Sequence, residues 1–145
     1  MSLDAELQRL VAAHDAAVDP AAPAAAERRR AVLALHQAGR IEGSAARIAA
    51  ARVLLTGDRA EVEVAQRLLL ATMAHEPAAR RLVAEAYDRL RVLAGRPQKF
   101  GTQTVVRDGR RELLPVGPLT PDSAGGKWDV GPRAELHRRA ATMAP

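Results

Sequence analysis

From Ser2 to Gly95 the chain repeats one local pattern: a capping residue, several turns rich in Ala, Leu and Arg, then a glycine or proline. Ser2 is placed to cap a first helix reaching about Val18, which Asp19-Pro20 and Pro23 interrupt. A second helix runs from about Ala24 to Ala38 and stops at Gly39. Ser44 is placed to cap a third that ends at Thr56-Gly57. Asp58 then caps a fourth, with Glu61 three residues on as the reciprocal partner of a capping box. Pro77 suits the first position of a fifth, which carries Leu82, Val83, Ala86, Leu90 and Leu93 on one face and ends at Gly95. Such short links join helices third to fifth as antiparallel neighbours.

The residues available to fill a core narrow the packing further. Only Tyr87, Phe100 and Trp128 are aromatic, so a chain that is 48% hydrophobic must fill its interior with Ala, Leu and Val. Small side chains favour closely approaching helices. At 145 residues the chain fits one domain with a single core, burying roughly two thirds of its unfolded surface. In the fourth helix Val62, Leu69 and Met73 line one side and Val64, Ala65, Leu68 and Thr72 the other, which predicts a central position. Gln66 projects among the apolar residues and must find partners or face a polar pocket.

The pattern breaks at Gly95-Arg-Pro-Gln-Lys-Phe-Gly-Thr-Gln103, where uncharged hydrogen-bonding groups crowd together. Beyond it, Thr102 to Arg107 and Arg110 to Val116 flank Asp108-Gly109, a strong signal for a tight two-stranded hairpin. An isolated ribbon is marginal in water, so it must pack on helices. Residues 117–132 are rich in Gly, Pro, Asp and Ser, with Trp128 and Val130 as anchors of a wrapping tail, and a last helix follows from about Arg133 to Met143. The expected architecture is an all-α domain of antiparallel hairpins with an appended β-ribbon. It divides into a helical pair (1–43), a helical core (44–95), the motif loop and ribbon (96–116) and the tail (117–145).

Asp88-Arg89 followed by the 95–103 segment resembles an uncharacterised bacterial family with a Gly-x-Pro-Gln-x-(Phe/Tyr)-Gly-Thr-Gln motif after a helix ending in Asp-Arg. Pro115, Asp122, Trp128, Val130, Pro132 and Leu136 resemble that family's tail, so the likeness covers roughly residues 45 to 137. It implies no established activity. The family often carries His-Gly and Ala-His where this chain has Thr56-Gly57 and Ala65-Gln66, which implies that any acid–base work of those histidines is lost here, or that they serve as interhelical donors as Thr56 and Gln66 also can.

Two functional readings follow. In the first, a small-molecule site lies between the fifth helix and the motif loop, with Asp88 as general base and Gln66, Arg89, Gln98, Thr102 and Gln103 as ligand-binding groups. Its chemistry would be cofactor-independent elimination, isomerisation or cyclisation. Against this stands a structural role in which Asp88 caps the ribbon or pairs with an arginine, and the amides tie the loop to the helices. In the second reading the hairpins form a protein-interaction module of helical-repeat type, or a homodimer, without catalysis.

Other classes lack their residues. There is no cysteine, and His14, His36, His75 and His137 have no metal-ligand spacing, so no metal or cofactor is expected; His75 is expected to complement the fourth helix's C-terminal dipole. No phosphate-binding glycine loop or Gly-x-Ser-x-Gly elbow occurs. The net charge of +5 is spread as isolated arginines among 17 acids, without aromatic platforms or a basic recognition helix, which argues against nucleic acid. With neither a membrane-length apolar run nor a signal peptide, a cytoplasmic protein is expected.

Overall fold

The computed structural model describes residues 3–117 and 133–142. They form a mostly helical protein with a small antiparallel ribbon, as the sequence predicts. Two compact units divide the chain, residues 1–79 and 80–145. The expected tail anchors Trp128 and Val130 lie outside the described residues.

The first unit holds α1 (Ala5–Ala16), α2 (Pro23–Gln37), α3 (Gly43–Leu54) and α4 (Arg59–Leu70). The cap of α1 is Asp4, two residues beyond Ser2, and its carboxylate accepts from the Glu6 and Leu7 N–H groups. Arg40, just after α2, grips that same carboxylate at 2.9 Å and Glu6 at 3.1 Å. Ser44 does not cap α3; the N-cap is Glu42, without a side-chain bond, and Ser44 lies in the first turn.

The helix that packs against all three others of this unit is α3 rather than α4. Its inward positions are Ala46, Ala49, Ala50, Ala51, Val53 and Leu54, all buried. Alanine on several sides lets neighbouring backbones approach closely, so a helix of small residues becomes the centre. The more strongly apolar α4 buries Val62, Ala65, Leu68 and Leu69 but leaves Leu70 half-exposed.

The junction of α3 and α4 carries the capping box that the sequence predicts. Asp58 accepts from the Glu61 N–H at 2.9 Å, and Glu61 Oε2 accepts from the Asp58 N–H at 2.8 Å. The same oxygen accepts from Arg29 Nε at 2.9 Å, which fastens the start of α4 to α2. Both side chains of this pair are largely buried, so neither can leave without stranding the other's charge. Glycine at position 57 makes room: an added Cβ there would clash with Glu61 Oε2.

The second unit holds α5 (Ala79–Leu93), β1 (Thr104–Arg107), β2 (Arg110–Leu113) and α6 (Arg133–Thr142). Helix α5 starts two residues after Pro77, and its buried residues are Ala79, Val83, Ala84, Ala86 and Asp88. Leu93, expected on the buried face, is 42% exposed. Gly95 closes the helix with φ +72, and the Arg96 N–H returns to the Arg91 carbonyl at 2.9 Å, the 6→1 bond of a Schellman motif.

The ribbon turns at Asp108-Gly109, both with positive φ, as a type I′ turn requires. Its register pairs Thr104 with Leu113, Val105 with Glu112, Val106 with Arg111 and Arg107 with Arg110. β2 packs on α6, and Leu113 joins a small core of Ala84, Phe100 and Leu136.

Substituting Gly57→Ala should force Glu61 out of both its bonds, lowering stability by about 2 kcal/mol, the sum expected for a lost cap and a weakened ion pair. Chemical denaturation checks this. In a Glu61→Ala background, where only the contact with the Cβ of residue 61 remains, the same change should cost clearly less, so a double-mutant cycle with no coupling would refute the account.

Candidate functional site

The motif loop folds down on the face of α5 that bears Ala84 and Asp88. Phe100 supplies the apolar contact, meeting Tyr87 edge-on with ring centroids 5.8 Å apart. Lys99 Nζ sits 5.2 Å from the Phe100 centroid and 5.7 Å from that of Tyr87, within cation–π range of both. A buried irregular backbone must also find acceptors for its N–H groups.

Asp88 provides them. Its side chain is fully buried. Oδ1 accepts from the Lys99 N–H at 2.7 Å and the Phe100 N–H at 2.9 Å. Oδ2 accepts from the Thr102 N–H at 3.0 Å and the Thr102 hydroxyl at 2.8 Å. A carboxylate offers about four lone-pair positions, and all are filled. To take a proton from a substrate, Asp88 would have to release one of the donors that hold the loop.

Gln98 is equally committed. It is fully buried, its Oε1 accepts from the Gln103 N–H at 2.8 Å, and its Nε2 donates to the Gln103 carbonyl at 2.9 Å and the Leu114 carbonyl at 2.7 Å. The side-chain amide thus pairs with residue 103 as a neighbouring strand would. Its own backbone pairs with the segment after β2, donating to the Pro115 carbonyl at 2.9 Å and accepting from the Gly117 N–H at 2.8 Å. Gly101 completes the knot with φ +80, and an added Cβ would stand 2.6 Å from Leu136 Cδ1 on α6.

The structure therefore brings Asp88, Gln98, Thr102 and Gln103 together and turns most of their polar groups inward. Gln103 Nε2 donates to the Thr102 hydroxyl at 3.1 Å, while among the described residues its Oε1 accepts no hydrogen bond. Arg89 follows Asp88 on α5 and is half-buried. Gln66 lies in the first unit on α4, half-exposed, so water can satisfy its amide. Thr56 donates to the Val53 carbonyl at 3.0 Å, a bond within its own turn rather than between helices. His75 is exposed and stands beyond the end of α4 at Leu70, in the turn that follows.

Glu85 is the titratable neighbour that sequence reading passed over. One turn before Asp88, its carboxyl is pushed above the ordinary value by burial, opposed by Arg81 at 3.2 Å and reinforced by the charge of Asp88. The spacing of three residues on one helix is the signal that could have singled it out. Elsewhere, burial pushes the His14 imidazole below its ordinary value; Asp15 opposes this, and Arg52, Arg28 and Arg29 add to it. Arg28 Nε and Thr72 Oγ1, both in the first unit, are buried without hydrogen-bond partners among the described residues. No group of three or more His, Asp or Glu residues that could hold a metal ion occurs among the described residues. Among the described residues no helix is long and apolar enough to cross a membrane.

The chain matches no protein-family model, no curated protein and no solved structure. The geometry of its own residues must carry the functional reading.

Asp88→Asn would aim an amide N–H at the donors now received by one carboxylate oxygen. Stability should fall by about 3 kcal/mol or more, whereas Gln103→Ala should cost about 1 kcal/mol or less. Urea denaturation separates the two. For His14, the unfolded chain binds a proton more readily than the folded one. Stability is therefore lost as pH falls through the ordinary histidine value, and the wild type should lose more than His14→Gln between about pH 7 and 5. Parallel urea midpoints for the two proteins at each pH give the comparison.

Proposed function

We propose that this chain is a non-catalytic interaction module in which the polar motif is a structural clasp. The observation that carries this reading is the Asp88 carboxylate, whose four acceptor positions are all taken by the loop that the acid–base hypothesis needs as its substrate platform. Gln98 likewise spends both amide hydrogens and its carbonyl oxygen on backbone. A general base needs a free lone pair within reach of the proton it removes, and Asp88 keeps none. An interaction module needs only a stable scaffold, and the clasp holds the loop of the second unit to α5.

One observation favours the other reading, in a reduced form. Gln103 Oε1 retains its acceptor capacity, so a small molecule bearing an N–H or O–H donor has one motif atom to bind, without acid–base chemistry.

The test is a thermal-shift screen of a broad metabolite library on wild type and Gln103→Ala in parallel. A ligand at 100 times its dissociation constant adds about 2.7 kcal/mol, so binding at the motif is easily seen. The expected result is no ligand whose stabilisation disappears in Gln103→Ala, together with a macromolecular partner recovered stoichiometrically by both proteins. A metabolite lost only in the folded Gln103→Ala variant would replace this reading with the small-molecule one.

A further inference from the structure

The basic residues are unevenly distributed along the chain. Residues 1–79 hold nine basic and ten acidic side chains, whereas residues 80–145 hold thirteen basic and seven acidic. The imbalance concentrates further in residues 89–113, the end of α5, the motif loop and the ribbon, with seven basic residues against Asp108 and Glu112. That span alone carries +5, equal to the net charge of the whole chain. Of its cations, Arg96, Lys99, Arg107 and Arg110 are exposed.

The ribbon arranges two of them in a way that costs stability. Arg107 and Arg110 are register partners beside the turn, so their side chains leave one face directly opposite each other. Like charges so placed destabilise a strand pair, and a two-stranded ribbon is marginal to begin with. Glu112, on the same face, lies 3.8 Å from Arg107, but both are more than half-exposed and such a pair contributes little. The side chain of Arg110 makes no hydrogen bond or ion pair among the described residues. A cation pair at the tip of a weak element, with one exposed and weak counter-charge, is suited to receive an anion.

We propose that the turn end of this ribbon contacts the phosphate backbone of duplex DNA, with Arg107 and Arg110 as the phosphate-binding groups. Three features favour this partner. A charge of +5 over 25 residues is balanced by a continuous polyanion, and a duplex carries one charge per about 1.7 Å of its axis. Six of the seven cations are Arg, whose planar fork binds phosphate in bidentate fashion. A two-stranded ribbon also fits the major groove of B-form DNA, whereas that of duplex RNA is too narrow to enter. This inference rests on the interaction reading above and names its partner.

Fluorescence anisotropy of a labelled DNA duplex, titrated with the full chain at several salt concentrations, tests it. Losing two phosphate contacts should flatten the log–log salt slope by about 1.8, and Arg107→Ala/Arg110→Ala should weaken binding at least about tenfold at low salt. Arg9→Ala/Arg30→Ala removes two exposed arginines of the first unit and should change neither. Equal losses in the two double variants would overturn the ribbon assignment, because net charge alone would then explain binding. Competition by poly-glutamate as effective, charge for charge, as unlabelled duplex would overturn DNA in favour of an acidic protein. Absence of any binding by folded protein would also overturn it. A macromolecular partner with an unchanged metabolite screen would then still leave the interaction reading in place.

Discussion

Everything in the second unit depends on one carboxylate accepting the backbone of one loop. Residues 96–103 adopt neither helix nor extended strand, yet Gln98, Phe100 and Gly101 are buried, so their neighbours' N–H groups are cut off from water. Such groups cost roughly 1–3 kcal/mol each if left unpaired. Asp88 is suited to the task because a short, ionised side chain on a helix surface presents two oxygens to three backbone N–H groups and a hydroxyl at once. Glutamate would place those oxygens one methylene further out, and asparagine would replace one acceptor with a donor. Once the loop is held, Phe100 is seated on Ala84, and Leu113 and Leu136 close the small core around it.

Glu61 follows the same logic in the first unit. One of its oxygens serves the N-cap of α4 and the guanidinium of Arg29, so a charge that would be costly to bury becomes a tie between α2 and α4. In both units a small, aromatic-poor core is supplemented by a buried carboxylate with several partners, and a glycine stands where the carboxylate's geometry leaves no space or where the loop needs positive φ. Gly57 beside Glu61 and Gly101 beneath Leu136 are those positions.

What could be read from the sequence is what neighbouring residues decide. Asp58 with Glu61 specifies a capping box, Gly95 a helix stop and Asp108-Gly109 a turn, because in each case both partners lie within a few residues. The errors arise where distance in the chain hides the partner. Asp4 rather than Ser2 caps α1, in a position where Arg40 also reaches it. α3 rather than α4 is central, because hydrophobic patterning weighs side-chain size, whereas closeness of approach is set by the alanines. The four donors on Asp88 come mostly from backbone N–H groups, which every residue but proline carries, so no residue type announces them.

A polar motif is therefore an ambiguous sign of function. The amides, hydroxyl and carboxylate of residues 88–103 form the densest set of hydrogen-bonding groups in the sequence, and folding consumes nearly all of them. What the second unit turns toward solvent instead is charge, which hydrogen bonding within the loop does not neutralise. Burying the motif's polarity makes the ribbon stand on a firm base, and a firm base allows a like-charged pair to persist at its tip. On this view the residues that look most like an active site maintain the fold, and the exposed arginines are the groups left to recognise a partner.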